Sequence, residues 1–228
     1  MGLTRTVQSK LDKAHEASLT ALLLLECLLI FVAMPAASLD VRLTAVTTGL
    51  LAVGFLAAAL TASRSRAAVA LILVCAVVAL VGTAARHRHP GTSTDLFGHG
   101  AAIVALAVLS LVVGGAVFAP GEITYHRIRG AIVLYLNFAL MFTAAYRLIV
   151  ELVPDAFRNL DPTANDVTAT GTMLYFSFTT LTSTGYGDIL PVHPFARSLA
   201  NLEAIIGQLF PATLLARIVT LHIAAGRR

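Results

Sequence analysis

The residues of this chain best suited to chemistry lie between Thr180 and Asp188, in the run "TLTSTGYGD". Hydroxyl residues lead up to two glycines, the glycines flank Tyr186, and Asp188 closes the stretch. What such a run offers is backbone. Glycine accepts positive φ, so an extended segment punctuated by glycine can alternate the sign of φ. Alternation turns successive carbonyl oxygens the same way, toward one axis. A row of carbonyl oxygens replaces the water shell of a cation and rejects anions. Ser183, Thr184, Gly185, Tyr186 and Gly187 are therefore the candidate ion-binding residues. Tyr186 would turn its ring away from the axis and pack against the short helix before it. Asp188 would stand at the outer mouth, where negative charge concentrates cations.

Such a segment needs elements to hold it, and the composition says what kind. The chain has 228 residues, 57% hydrophobic and 12% charged, with a mean hydropathy of +0.84. A soluble domain is nearer half apolar and a quarter charged, so the surplus must face lipid. The net charge of +4 points to no nucleic-acid role; basic residues in such a chain mark the cytoplasmic side. Cys27 and Cys75 both fall inside apolar runs and read as small core residues. Six segments are long enough to span, at 18–37, 43–62, 67–85, 96–119, 128–152 and 195–222. None alternates polar and apolar residues, so these are helices and not barrel strands. The distribution of Arg and Lys favours both termini on the cytoplasmic side, although the "ARHRHP" loop at 85–90 argues mildly against it.

The connections differ in kind. Pro120-Gly121 breaks the fourth span, and "PGEITYHR" at 120–127 reads as an interfacial elbow. From Pro154 to Pro194 the chain is too long for a structureless loop. Its middle, "TATGTMLYFSFTTL" at 168–181, is apolar-aromatic and only about four turns long. That suits a re-entrant helix that enters the membrane and stops halfway. Backbone left inside a membrane is tolerated only beside water or surrounded by protein, so the glycine-punctuated run should line an aqueous path.

The stretch "TLTSTGYGD" after "YFSF", with a helix on each side, resembles the pore region of tetrameric potassium channels. It is most similar to bacterial ion-channel proteins with a two-helix pore module, over about residues 120–228. The resemblance implies a homotetramer around one pore, with potassium as the permeant ligand and no other cofactor. It assigns filter support to Tyr175 and Phe176, the aromatic pair that braces the filter, and places a hinge glycine at Gly207. Thr180 and Thr182 lead into the filter, and Thr179 and Glu203 stand behind it. Two positions depart from the family's usual Thr-Val before the first glycine. Ser183 keeps the hydroxyl for the innermost ion, and Thr184 replaces an apolar side chain while keeping its carbonyl.

Six spans with the pore between the last two resemble the voltage-gated arrangement, in which the fourth span carries regularly spaced arginines. Here 96–119 contains no Arg or Lys, so a sensor of that type is absent. Other residues carry paired readings. Glu203 is either an ion site facing the pore or a buried acid bonded to Ser177 or Thr179. Glu26 is a proton or ion sensor, or a polar contact among the first helices. Arg147 and Glu151, four apart, form a structural pair. Arg217 snorkels to the inner headgroups or acts at the inner gate. Gly207 and Pro211 bend the last helix, as a gate or as a fixed kink. His193 is a pH-tuning group or a solvated loop histidine.

The expectation is an all-α membrane protein of six transmembrane helices plus a re-entrant pore helix and filter loop. Residues 1–119 form a four-helix domain without a charged sensor, and 120–228 the pore domain. It is not an enzyme, because Glu26, His99 and Glu203 lie at different depths with no recurring spacing. Its partners are potassium ions, membrane lipid and further copies of itself, and its place is a bacterial inner membrane. The alternatives are a weakly selective monovalent cation channel and, behind it, a transporter with a pore-like loop. A transporter should repeat its broken segment, and the sequence holds one copy.

Overall fold

Long runs of Leu, Ala and Val can enter lipid only if their backbone bonds are made within the segment, which a helix achieves. The computed structural model describes residues 19–39, 50, 54, 67, 69–70, 73–74, 76–78, 81, 92–119 and 125–226. Helix α1 covers Leu19–Ala37 and contains one π-helical turn, Leu29–Ala33. Helices α2 (Thr92–Val117), α3 (Tyr125–Leu152), α4 (Asp166–Leu181) and α5 (Pro194–Gly226) follow. A short antiparallel pair joins β1 (Phe157–Arg158) to β2 (Leu190–Pro191), with Phe157 opposite Pro191 and Arg158 opposite Leu190.

Among the described residues four helices are long and apolar enough to cross a membrane: Leu19–Ala37, Leu96–Val117, Arg127–Leu152 and Pro194–Arg217. They match four of the six expected spans. The expected spans at 43–62 and 67–85 lie outside the described residues apart from scattered positions, as do residues 120–124 of the elbow expected at 120–127, whose last three residues already belong to α3. Helix α4 has 16 residues, about 24 Å at 1.5 Å per residue, and falls short of a hydrocarbon core of about 30 Å.

Small residues set how these helices meet. A Cβ on Gly130 of α3 would stand 2.8 Å from Val117 of α2, and 3.6 Å from both Val113 and Leu19. A Cβ on Gly114 would lie 3.6 Å from Leu134. As numbers fall on α2 they rise on α3, so these two run antiparallel. Helix α1 runs parallel to α3, with Leu19 beside Gly130 and Ile30 clustered with Leu136 and, from α4, Leu174. Leu19, Leu22, Leu109, Val113, Val117, Ala131 and Leu134 share one core, against which Phe210 and Leu214 of α5 pack. Packing is thus continuous across the expected boundary at 119/120.

A second core lies behind the candidate stretch. Tyr146, Phe157 and Phe176 meet edge to face, with centroids 5.0 to 5.7 Å apart and planes 73° to 88° to one another. That is the arrangement aromatic quadrupoles favour. Met173, Ile189 and Ala196 complete the cluster. It welds the C-terminal part of α3, helix α4 and the N-terminal part of α5 into one unit with the β1–β2 pair.

Candidate functional site

The start of α4 is fixed by its own sequence. Asn165 caps it, its side chain accepting from the Thr168 amide at 2.9 Å. Asp166 sits in the first turn, where the helix dipole favours an acid. Arg147 of α3 donates to Asp166 at 2.8 Å and to Glu151 at 2.9 Å. The expected Arg147–Glu151 pair is present, and Asp166 extends it into a clamp on the start of α4. Of the acids between Pro154 and Pro194, Asp161 accepts from the Thr163 hydroxyl and amide, and these bonds hold its carboxyl below the ordinary carboxylate range.

At the other end α4 gives way to the candidate stretch. The Thr179 carbonyl accepts from the amides of Thr184 (2.8 Å) and Gly185 (3.0 Å), and Thr180 accepts from the Ser183 amide (2.9 Å). Ser183, Gly185 and Gly187 have φ of 56°, 55° and 78°, while Thr184 and Tyr186 are not in the positive-φ region. The sign of φ therefore alternates through five consecutive residues. Glycine takes positive φ without cost, but Ser183 does so against its side chain, at about 1–3 kcal/mol. Its position is held by Gln208 of α5, whose amide donates to the Ser183 hydroxyl at 2.8 Å. The added hydroxyl of Thr184 is satisfied locally, sharing a 2.8 Å hydrogen bond with Thr182.

The stretch from Thr182 to Asp188 is exposed on the single chain. Tyr186, 70% exposed, stacks on Tyr175 of α4 with parallel planes and centroids 6.1 Å apart. The Tyr175 hydroxyl lies near Asp188. The structure divides the expected bracing pair: Tyr175 meets Tyr186, and Phe176 faces the opposite way into the aromatic core. Asp188 is tied back by Asn159, whose amide donates to its carbonyl at 2.8 Å. Asn159 itself has φ of 65°, a conformation asparagine tolerates better than most residues.

Glu203 is wholly buried. It accepts from Ser177 (2.5 Å) and Tyr146 (2.5 Å), each on its own carboxylate oxygen. The buried-acid alternative is the one the structure contains, with Ser177 as partner and Tyr146 unforeseen. Thr179 instead donates to the Phe176 carbonyl. Four residues along α5, Gly207 meets the end of α4 so closely that a Cβ there would overlap the Leu181 carbonyl. The missing side chain at Gly207 thus has a packing reason. Helix α5 runs unbroken through Pro211.

Arg217 departs from expectation. Its guanidinium donates to the carbonyls of Val117 (3.3 Å) and Ala119 (2.5 Å) and lies 5.4 Å from the centre of the Phe118 ring. It does not reach outward to headgroups. The last carbonyls of α2 have no partner within their own helix, and the negative end of the dipole lies there, so a cation is drawn to that spot. Arg127 donates to the same Ala119 carbonyl at 2.7 Å.

Sequence reasoning missed Gln208, Asn159 and Tyr146 as supports of the stretch. Gln208 carried one usable signal, being a polar residue beside Gly207 in an apolar helix. Among the described residues no group of three or more His, Cys, Asp or Glu is arranged to hold a metal ion.

Residues 132–223, from α3 into α5, match the model of a family described as ion channel. The match covers the candidate stretch and the helices on both sides of it, and with the four apolar helices it supports an ion channel in a membrane. No curated protein and no solved structure matches the chain.

Proposed function

We propose that this protein is a passive, potassium-selective channel in which four copies surround one pore. Each copy contributes α4 as a re-entrant pore helix and Ser183 to Gly187 as one strand of the filter. The observation that carries this reading is the alternating φ at Ser183, Gly185 and Gly187 on an exposed face. Alternation rotates each peptide plane against the last, so that carbonyls of Ser183, Thr184, Gly185 and Tyr186 can face one axis and replace a cation's water shell.

Exposure supports the assembly. Only 11% of the apolar window in α5 is buried within the chain, against 56% in α3. Leu202, Ile205, Leu209 and Leu215 of α5 are all open. An apolar face beside an exposed polar strand is what neighbouring copies would cover. The absence of Arg and Lys from α2 leaves a gating stimulus other than a charged fourth span.

Flux in liposomes tests the reading. The protein is reconstituted with potassium inside and sodium outside, and flux is followed with and without barium. Barium-sensitive flux that strongly favours potassium is expected. Equal passage of sodium and potassium would replace it with the weakly selective cation channel, in which Ser183 and Thr184 have loosened the filter. Uptake against a gradient would replace it with a transporter.

A further inference from the structure

Tyr146 of α3, Ser177 of α4 and Glu203 of α5 are all wholly buried, and their oxygens stand in one short row. Tyr146 Oη lies 2.5 Å from Glu203 Oε2, Glu203 Oε1 lies 2.5 Å from Ser177 Oγ, and Ser177 Oγ lies 2.9 Å from the Ala139 carbonyl oxygen. Each of these three contacts needs one hydrogen between its oxygens. Tyr146 and Ser177 bring one each, because a hydroxyl carries a single proton, and a backbone carbonyl brings none. As a carboxylate, Glu203 accepts from both hydroxyls. The Ser177 proton then goes to Oε1, and Oγ faces the Ala139 oxygen with lone pair against lone pair. The row is one proton short.

We propose that Glu203 holds the missing proton, so that a neutral acid ties α3, α4 and α5 together behind the candidate stretch. Tyr146 donates to Oε2, the acid's carbonyl oxygen. The acid's hydroxyl, on Oε1, donates to Ser177 Oγ, and Ser177 donates to the Ala139 carbonyl. Every contact then has its hydrogen, and every hydroxyl donates once. Charge points the same way. A carboxylate taken out of water needs a cation or becomes neutral, and among the described residues no ion pair reaches Glu203. On α3, Arg147 is held by Glu151 and Asp166, Tyr135 donates to the Leu181 carbonyl, and Arg127 and Arg129 bond at the other end of the helix. On α4 the titratable side chains are Asp166, within the Arg147 clamp, and Tyr175, stacked on Tyr186. On α5 itself, Arg197 donates to the Pro191 carbonyl and Arg217 to the end of α2; His193, just ahead of the helix, meets Phe195. Removing the proton takes one bond from the row. Ser177 then keeps either Glu203 or Ala139, and α4 loses its tie to α3 or to α5.

Glu203→Gln copies the neutral acid: its amide nitrogen donates where the acid's hydroxyl does, and its amide oxygen accepts from Tyr146. Infrared difference spectra of the full chain in liposomes read the proton directly. They need no flux, so their outcome is separate from that of the potassium reading. At neutral pH the wild type minus Glu203→Gln should show a carboxylic acid C=O band. With Glu203 kept, Tyr146→Phe removes the hydrogen bond to that C=O and should shift the band to higher frequency. This second variant preserves the test if Glu203→Gln does not fold. Carboxylate bands at neutral pH in place of the C=O band would overturn the proposal, since Glu203 would then be ionised. So would a C=O band that stays unmoved in Tyr146→Phe, since the acid observed would then be another one, such as Glu26.

Discussion

Ser177 and Glu203 are joined by a 2.5 Å hydrogen bond that crosses from α4 to α5, and the Ser177 hydroxyl also lies 2.9 Å from the Ala139 carbonyl of α3. One hydroxyl thereby touches three helices at the depth where the candidate filter begins. Glu203 in turn gathers Tyr146 from α3. Removing the acid leaves the buried Tyr146 hydroxyl without its acceptor, at about 1–3 kcal/mol, and takes away the Ser177 bond between α4 and α5, leaving that hydroxyl the Ala139 carbonyl alone. Glu203→Ala should therefore lower the thermal midpoint of the purified protein more than Tyr146→Phe, which removes one bond and costs about 1–2 kcal/mol. Equal midpoints for the two variants would show that the Ser177–Glu203 bond adds nothing to that of Tyr146.

Gly185 and Gly207 should fail in opposite ways. A Cβ on Gly185 meets open space, but φ there is +55°, a strain of about 1–2 kcal/mol for an L-residue. Gly185→Ala should assemble normally and lose potassium flux in liposomes. Gly207 is helical, and a Cβ there overlaps the Leu181 backbone. Gly207→Ala should be recovered poorly, with a broadened elution profile in detergent, because α5 must move off the end of α4. Normal assembly of Gly207→Ala would mean that the contact yields cheaply.

Gln208 anchors the one non-glycine residue of the stretch held at positive φ. Gln208→Leu removes the donor to Ser183 and a bond worth about 0.5–1.5 kcal/mol. The potassium preference measured under opposed sodium and potassium gradients should fall by up to about tenfold, while the fold is retained. Unchanged preference would release Gln208 from any part in the filter.

Arg217 binds two carbonyls and faces a ring. Arg217→Met keeps the stem and removes the charge, and should cost up to about 2 kcal/mol, read as a lower thermal midpoint. Arg217→Lys should recover only part of the loss, because an ammonium lacks the planar fork. Full recovery with lysine would reduce the contact to simple charge.

The local signals in the sequence were sufficient for the parts fixed by local structure. Hydroxyl, glycine and aromatic residues between Thr180 and Asp188 foretold alternating backbone, and the structure has it at Ser183, Gly185 and Gly187. An acid within an apolar helix foretold a partner, and Glu203 has Ser177. What stayed hidden depends on register between helices. Nothing in the sequence sets Val117 of α2 against Gly130 of α3; the missing side chain at Gly130 lets the helices approach there. Arg217 was misread for a related reason. Its distance from the membrane edge suggested headgroups, whereas an unseen helix end lay nearer. Phe176 looked like the twin of Tyr175, but adjacent residues on a helix point about 100° apart, so the two cannot serve the same neighbour.

The clasp at Arg217 also has a meaning in polymer terms. The chain leaves the end of α2, runs out along α3, turns through α4 and the exposed strand, and returns down α5 to the carbonyls of Val117 and Ala119, where it set out. These residues form a closed circuit whose ends are pinned by the Arg217 guanidinium, beside the packing of Phe210 and Leu214. Closing a circuit of this length costs entropy that rises only with the logarithm of its length, so a single guanidinium contact is enough to matter. The turn of α5 that carries Arg217 is therefore held to the end of α2, while the residues beyond it to Gly226 lie outside the circuit.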